Sequence, residues 1–131
     1  MTSSALNATG CFASMTVGDL ARSLHFYVDG LGFEIVDRNE VDGVLRFAML
    51  KSGSVMLGVG QDDFAKGRDR VKGVGLRLWL QTAEDLVALA DRAKAAGLAL
   101  DGDPAPLPWG PMAFALVDPD GFMLTIITSA A

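Results

Sequence analysis

The chain predicts an α+β fold made of two tandem βαβββ modules, and three observations point to it. Ser52-Gly53-Ser54-Val55-Met56-Leu57-Gly58-Val59 is echoed by Asp120-Gly121-Phe122-Met123-Leu124-Thr125-Ile126, with Val55/Phe122, Met56/Met123, Leu57/Leu124 and Val59/Ile126 at one constant offset. Leu31-Gly32-Phe33-Glu34-Ile35 closes a helix and opens a strand, and Ala96-Gly97-Leu98-Ala99-Leu100 does the same. In each half the apolar residues recur first at strand spacing, then at helix spacing, then at strand spacing again. Two half-length copies of one unit imply a pseudo-symmetric fold with a site between the copies.

The elements follow in order. Phe12 to Val17 alternates at the strand period, with Met15 and Val17 on one face and Phe12, Ser14 and Thr16 on the other. Gly18-Asp19 offers a helix cap, Leu20, Leu24, Tyr27, Val28 and Leu31 fall at helical spacing, and Gly30 and Gly32 stop the helix. Phe33 to Asp37 and Val44 to Leu50 read as a hairpin turning at Asp42-Gly43, and Val55 to Val59 is the next strand. The polar stretch 61–72 is a linker long enough to act as a lid, in which Phe64 is expected to tuck against something apolar. A strand over Gly73 to Leu80 opens the second copy. Thr82 is the expected cap of a helix whose apolar stripe is Leu86, Val87, Leu89, Ala90 and Ala93. Leu98 to Leu100 reads as a short strand, 104–108 as irregular, and Met112 to Val117 and Phe122 to Ile127 as the last pair around the Asp118-Pro119-Asp120-Gly121 turn.

All 131 residues fit one domain, divided into a first module at 10–60, the linker at 61–72 and a second module at 73–129. Half of the residues are hydrophobic, yet no apolar run approaches the ~18 residues that span a bilayer, so no membrane partner is expected. Met1 to Asn7 lacks a basic region followed by an apolar one. It reads as a disordered lead-in rather than a secretion signal, and the expected location is cytoplasmic. The net charge is −5, and Arg68, Arg70 and Lys72 are interrupted by Asp69, which argues against nucleic acid as a partner. The lone Cys11 excludes an internal disulfide and reads as a small hydrophobe at the start of a strand.

The segment Val17-Gly18-Asp19-Leu20-Ala21-Arg22-Ser23-Leu24-His25-Phe26-Tyr27, then Leu31-Gly32-Phe33, and late in the chain Asp118-Pro119-Asp120-Gly121, together resemble the vicinal oxygen chelate superfamily over Cys11 to Ser129. That superfamily includes glyoxalase I, extradiol dioxygenases, fosfomycin-modifying enzymes and bleomycin-type resistance proteins. The resemblance implies a curled mixed sheet around a cup, with the helices on its outer face. In the family's metalloenzymes the cup holds a divalent ion, with ligands from the first and last strand of each copy. Carried over, those slots fall on Phe12, Gly58, Gly75 and Thr125. None is a useful ligand for such an ion, so no metal and no cofactor is expected. His25, on the helix, is expected at a surface or core edge.

Strand alternation from those slots places Ser14, Thr16, Met56, Arg77, Trp79, Met123 and Ile127 on the cup side, and Leu57, Leu76, Leu78, Leu80, Leu124 and Ile126 toward the helices. Phe12, Ser14, Thr16, Met56, Arg77, Trp79, Trp109, Met123 and Thr125 are therefore the expected ligand-binding residues, and no catalytic constellation is found. A mid-strand arginine requires a partner. For Arg77 this is either a ligand carboxylate or phosphate, or a protein carboxylate such as Glu34 or Asp37, or a dimer contact; Arg46 is a weaker second candidate. Trp79 and Trp109 offer flat faces for stacking, Trp109 from a loop that family members place at the cup's mouth. The resemblance implies a metal-independent small-molecule-binding protein, one that sequesters an aromatic or antibiotic-like ligand, in a homodimer. The alternative is a divergent lyase, isomerase or dioxygenase-like enzyme, with Asp62 or Asp63 as base. A metalloenzyme with displaced ligands would need two carboxylates pointing into the cup, and the named strands contain none.

Overall fold

The computed structural model describes residues 5–129. The expected disordered lead-in therefore lies partly outside the described residues. Its elements are β1 (Ala13–Val17), α1 (Leu20–Leu24) running on into a π-helical segment (His25–Gly30), β2 (Glu34–Val41), β3 (Val44–Ser52) and β4 (Val55–Gln61). After the linker come β5 (Arg77–Thr82), α2 (Leu86–Ala95), β6 (Leu100–Pro106), β7 (Met112–Val117) and β8 (Met123–Thr128). Two four-stranded sheets result, ordered β1-β4-β3-β2 and β5-β8-β7-β6. The pairs β1–β4 and β5–β8 are parallel and the others antiparallel, so the βαβββ plan occurs twice. Among the described residues no helix is long and apolar enough to cross a membrane.

Alternation decides which face of each sheet the helices cover. Met15, Val17, Leu57, Val59, Ala48 and Leu50 turn inward from the first sheet, and Leu116, Leu124 and Ile126 from the second. With Leu20, Phe26, Tyr27, Leu86, Ala90 and Ala93 from the helices they form one apolar cluster that spans both modules. Burying a side chain of this size contributes roughly 1.5–3 kcal/mol, which makes this shared cluster the main force joining the copies.

Several boundaries differ from the sequence expectation, each for a local reason. β5 starts at Arg77, because Gly73 and Gly75 hold φ of 75° and 76° and keep the chain out of extended geometry. Leu76 is consequently 42% exposed instead of facing the helices. Asp85 caps α2 by accepting from the Val87 amide at 2.9 Å, while Thr82 accepts from Glu84. That shift leaves Val87 54% exposed, outside the apolar stripe. β6 (Leu100–Pro106) runs into the segment 104–108 that was expected to be irregular; the register slips between Asp101 and Ala105, where Gly102 and Pro104 interrupt the ladder. Cys11 is exposed ahead of β1, so it does not serve as a small buried hydrophobe.

Candidate functional site

The two copies meet along a seam built by the residues that carried the family resemblance. The Tyr27 hydroxyl donates to Asp118 Oδ2 at 2.7 Å, and the other oxygen of Asp118 accepts from the amides of Asp120 and Phe122 at 2.9 Å. Burial pushes the Tyr27 phenol far above its ordinary pKa, helped by the negative charge of Asp118. Burial likewise raises the Asp118 carboxyl, against the hydrogen bonds from Tyr27 and the turn amides. Asp120 accepts from the Gly18 amide at 2.8 Å, and the Gln61 amide side chain bridges Gly18 and Leu20. The carboxylates of the Asp118-Pro119-Asp120-Gly121 turn thus tie the second module to the first.

The sheet faces turned away from the helices carry the predicted ligand positions, and they fall on different sheets. On the first sheet, Ser14 and Thr16 are exposed, Phe12 stands just ahead of β1 at 57% exposure, and Met56 is half-buried on β4. Gly58 lies beneath the ring of Phe47, where a Cβ would come within 2.8 Å of Phe47 Cζ and 3.4 Å of Ser14 Oγ. Sequence reasoning did not single out Phe47. Its signal was the pairing of an aromatic residue with the glycines of β4, visible only once the β3–β4 register is known.

The second sheet holds a formed cavity of about 330 Å³, lined by Arg77, Trp79, Asp101, Asp103, Ala105, Pro106, Leu107, Ala113, Phe114, Ala115 and Thr125. Its floor is low because Ala113 and Ala115 are the central residues of β7 on this face, opposite Ile127 and Thr125. Arg77 Nη1 donates to Thr125 Oγ1 at 2.8 Å, and Nη2 approaches Met123 Sδ at 3.4 Å. Neither Glu34 nor Asp37 pairs with Arg77; its hydrogen-bond partners are both neutral, and among the described residues it forms no ion pair. The guanidinium covers Thr125, which is buried although it lies on the cup face. Trp79 is 50% exposed beside it. Trp109 is 65% exposed on the β6–β7 turn, two residues past Leu107 and outside the lining itself. Arg46 lines a different hollow with Asp62, Asp63 and Phe64. Phe64 is half-buried under the guanidinium of Arg68, at 4.3 Å from the ring centre. His25 is a surface residue that bridges Asp29 and the Ala96 carbonyl.

Residues 9–126 match the model of the Glyoxalase/Bleomycin resistance protein/Dioxygenase superfamily. The chain belongs to that superfamily. A curated relative from Vibrio cholerae, named a probable lactoylglutathione lyase, is 30% identical over 86% of this chain and 85% of its own length. Among solved structures, a superfamily member from Sphaerobacter thermophilus is 26% identical, with 94% of this chain and 98% of that one covered at a TM-score of 0.71. A glyoxalase-related enzyme from Fulvimarina pelagi shares the fold at a TM-score of 0.72, with 21% identity over 93% of this chain and 89% of its own.

The divalent ion that the glyoxalase superfamily suggests does not fit the residues present. Phe12 and Gly75 offer no donor and lie outside the strands, at exposed positions. The space at Gly58 is filled by the Phe47 ring, and the Thr125 hydroxyl already accepts from a guanidinium cation, which would repel a metal ion. Among the described residues no group of three or more His, Cys, Asp or Glu is placed to hold a metal. Asp62, considered as a base, is paired to Lys72 Nζ at 2.9 Å. Hydrogen bonds from Lys72 and the Phe64 amide hold it below the ordinary carboxylate range, which disfavours proton uptake.

Proposed function

We propose that this protein is a metal-independent small-molecule-binding member of the superfamily, taking a planar organic anion or mixed-charge molecule against Arg77 and Trp79. The observation that carries the reading is the state of Arg77: a charged fork held in place by a hydroxyl and a thioether, with no carboxylate beside it. A guanidinium so placed keeps donors free for a ligand carboxylate or phosphate, and Trp79 supplies a flat apolar wall next to it. The cavity of about 330 Å³ is at the small end of ligand sites and contains no residue of the first sheet. The face bearing Ser14, Thr16 and Met56 would then close a cup as the other wall, contributed by a second copy of the chain.

The test uses 2-naphthoate as probe. Arg77→Met keeps the length and apolar volume of the side chain, so the fold should survive. Losing one charge-assisted hydrogen bond, about 2 kcal/mol, should weaken the probe roughly thirty-fold by calorimetry. Probe binding should quench tryptophan fluorescence, and less so in Trp79→Phe. A strong fall in melting temperature with unchanged affinity would make Arg77 a structural residue and sink the reading.

The second reading, a divergent lyase, isomerase or dioxygenase-like enzyme, is favoured by the name of the Vibrio cholerae relative. Turnover of the methylglyoxal–glutathione hemithioacetal is expected to be absent with zinc, nickel or no added metal, and purified protein is expected to hold no stoichiometric metal. Turnover that depends on bound metal would establish the enzyme instead.

A further inference from the structure

We infer that the second-sheet cavity selects an amphoteric organic molecule, its anionic group held by Arg77 and its cationic group by Asp101; this rests on the ligand-binding reading above and adds the ligand's charge pattern. Strand register places the two anchors. Asp101 pairs with Ala115, Ala115 with Thr125, and Thr125 with Trp79, so these residues form one row across the sheet. At roughly 4.8 Å per strand, the backbones of Asp101 and Thr125 are about 10 Å apart, with only the methyl group of Ala115 between them. The Arg77 guanidinium rests on Thr125, at one end of that gap. Asp101 stands exposed at the other end and lines the same cavity.

The charges of this cavity are unequal in their commitments. Asp103, which also lines it, is neutralised by Lys94 at 2.7 Å. Arg77 and Asp101 have no ion-pair partner among the described residues. One cation and one anion without an ion-pair partner therefore face a shared, mostly apolar hollow, and no salt bridge joins them. A ligand bearing a single charge satisfies one anchor and meets a like charge at the other. A ligand bearing both, separated by a planar apolar frame, satisfies both and lays the frame against Trp79.

Three probes of matched shape test this: 4-(aminomethyl)benzoate, which carries both charges, 4-methylbenzoate, which carries only the negative one, and 4-methylbenzylamine, which carries only the positive one. Binding to the full chain is measured by calorimetry and by NMR shifts of the Trp79 indole. The doubly charged probe should bind about tenfold tighter than either single-charge probe, the change expected for one partly exposed charge-assisted contact. Asp101→Asn should remove its advantage over 4-methylbenzoate, and Arg77→Met its advantage over 4-methylbenzylamine. If 4-methylbenzoate binds through Arg77 but the doubly charged probe binds no tighter, or Asp101→Asn changes nothing, the amphoteric class is wrong while the anion clamp stands. If no probe binds the wild-type protein at millimolar concentration, both fail.

Discussion

Tyr27 and Asp118 show how a single buried contact can hold two modules in register. Tyr27 is fully buried, its ring edge-on to Phe26 at 4.8 Å and to Phe33 at 6.0 Å, and its hydroxyl is a donor to the buried Asp118 carboxylate. Tyr27→Phe keeps both ring contacts and removes only the hydroxyl, leaving Asp118 Oδ2 buried without that donor. The expected cost is about 1–3 kcal/mol, read as a fall of several degrees in melting temperature. An unchanged melting temperature would mean that water or a rearranged turn satisfies Asp118 equally well. At Gly58 the constraint is steric. Gly58→Leu must displace the Phe47 ring, and overpacking of this kind costs about 1–3 kcal/mol.

At the scale of elements, the π-helical segment and the end of α2 are joined through His25. Its Nδ1 lies 2.9 Å from Asp29 Oδ2 and its Nε2 lies 2.7 Å from the Ala96 carbonyl oxygen. Both neighbours accept hydrogen bonds, so both ring nitrogens donate only when the imidazole is protonated. The Asp29 carboxylate first, and the Ala96 carbonyl second, raise the His25 pKa above 6.5. A raised folded-state pKa means that the stabilisation is fully present below the unfolded value of about 6.5 and is lost as pH rises through the folded value. The melting-temperature gap between wild type and His25→Leu should be largest below pH ~6 and close above the folded pKa, which an NMR titration of the imidazole reports. A gap that does not change with pH would remove His25 from the seam.

For the molecule as a whole, the faces away from the core are unusually apolar at their rims. Phe12, Trp79 and Trp109 are each half-exposed or more, and Val74 is 79% exposed. We propose that some of these side chains are covered by a second copy of the chain, as exposed apolar groups of this size often are. A two-fold dimer would set the first-sheet face of one chain against the second-sheet face of the other, and so complete the cup twice over. Light scattering at micromolar concentration should report a dimer, and Trp109→Ser should weaken it. A monomeric wild type would leave the second-sheet cavity as the whole site.

The module plan is legible in the order of the residues alone. Period-two alternation in β1, the echoed apolar runs of β4 and β8, helical spacing in α1 and α2, and the Asp42-Gly43 turn are local signals, and each is set by residues adjacent in the chain. Residue type also shows that the slots carried over from the resemblance, Phe12, Gly58, Gly75 and Thr125, hold no imidazole, carboxylate or thiolate. Tertiary structure alone decided the rest. Arg77 could not be assigned its partners until the β5–β8 register brought Thr125 and Met123 beside it. Asp101 and Phe47 gained their neighbours only from strands paired across the sheet, Asp101 through a ladder that slips after it. Contacts between residues distant in sequence depend on register and on which face is buried, and a slip of one residue reverses both.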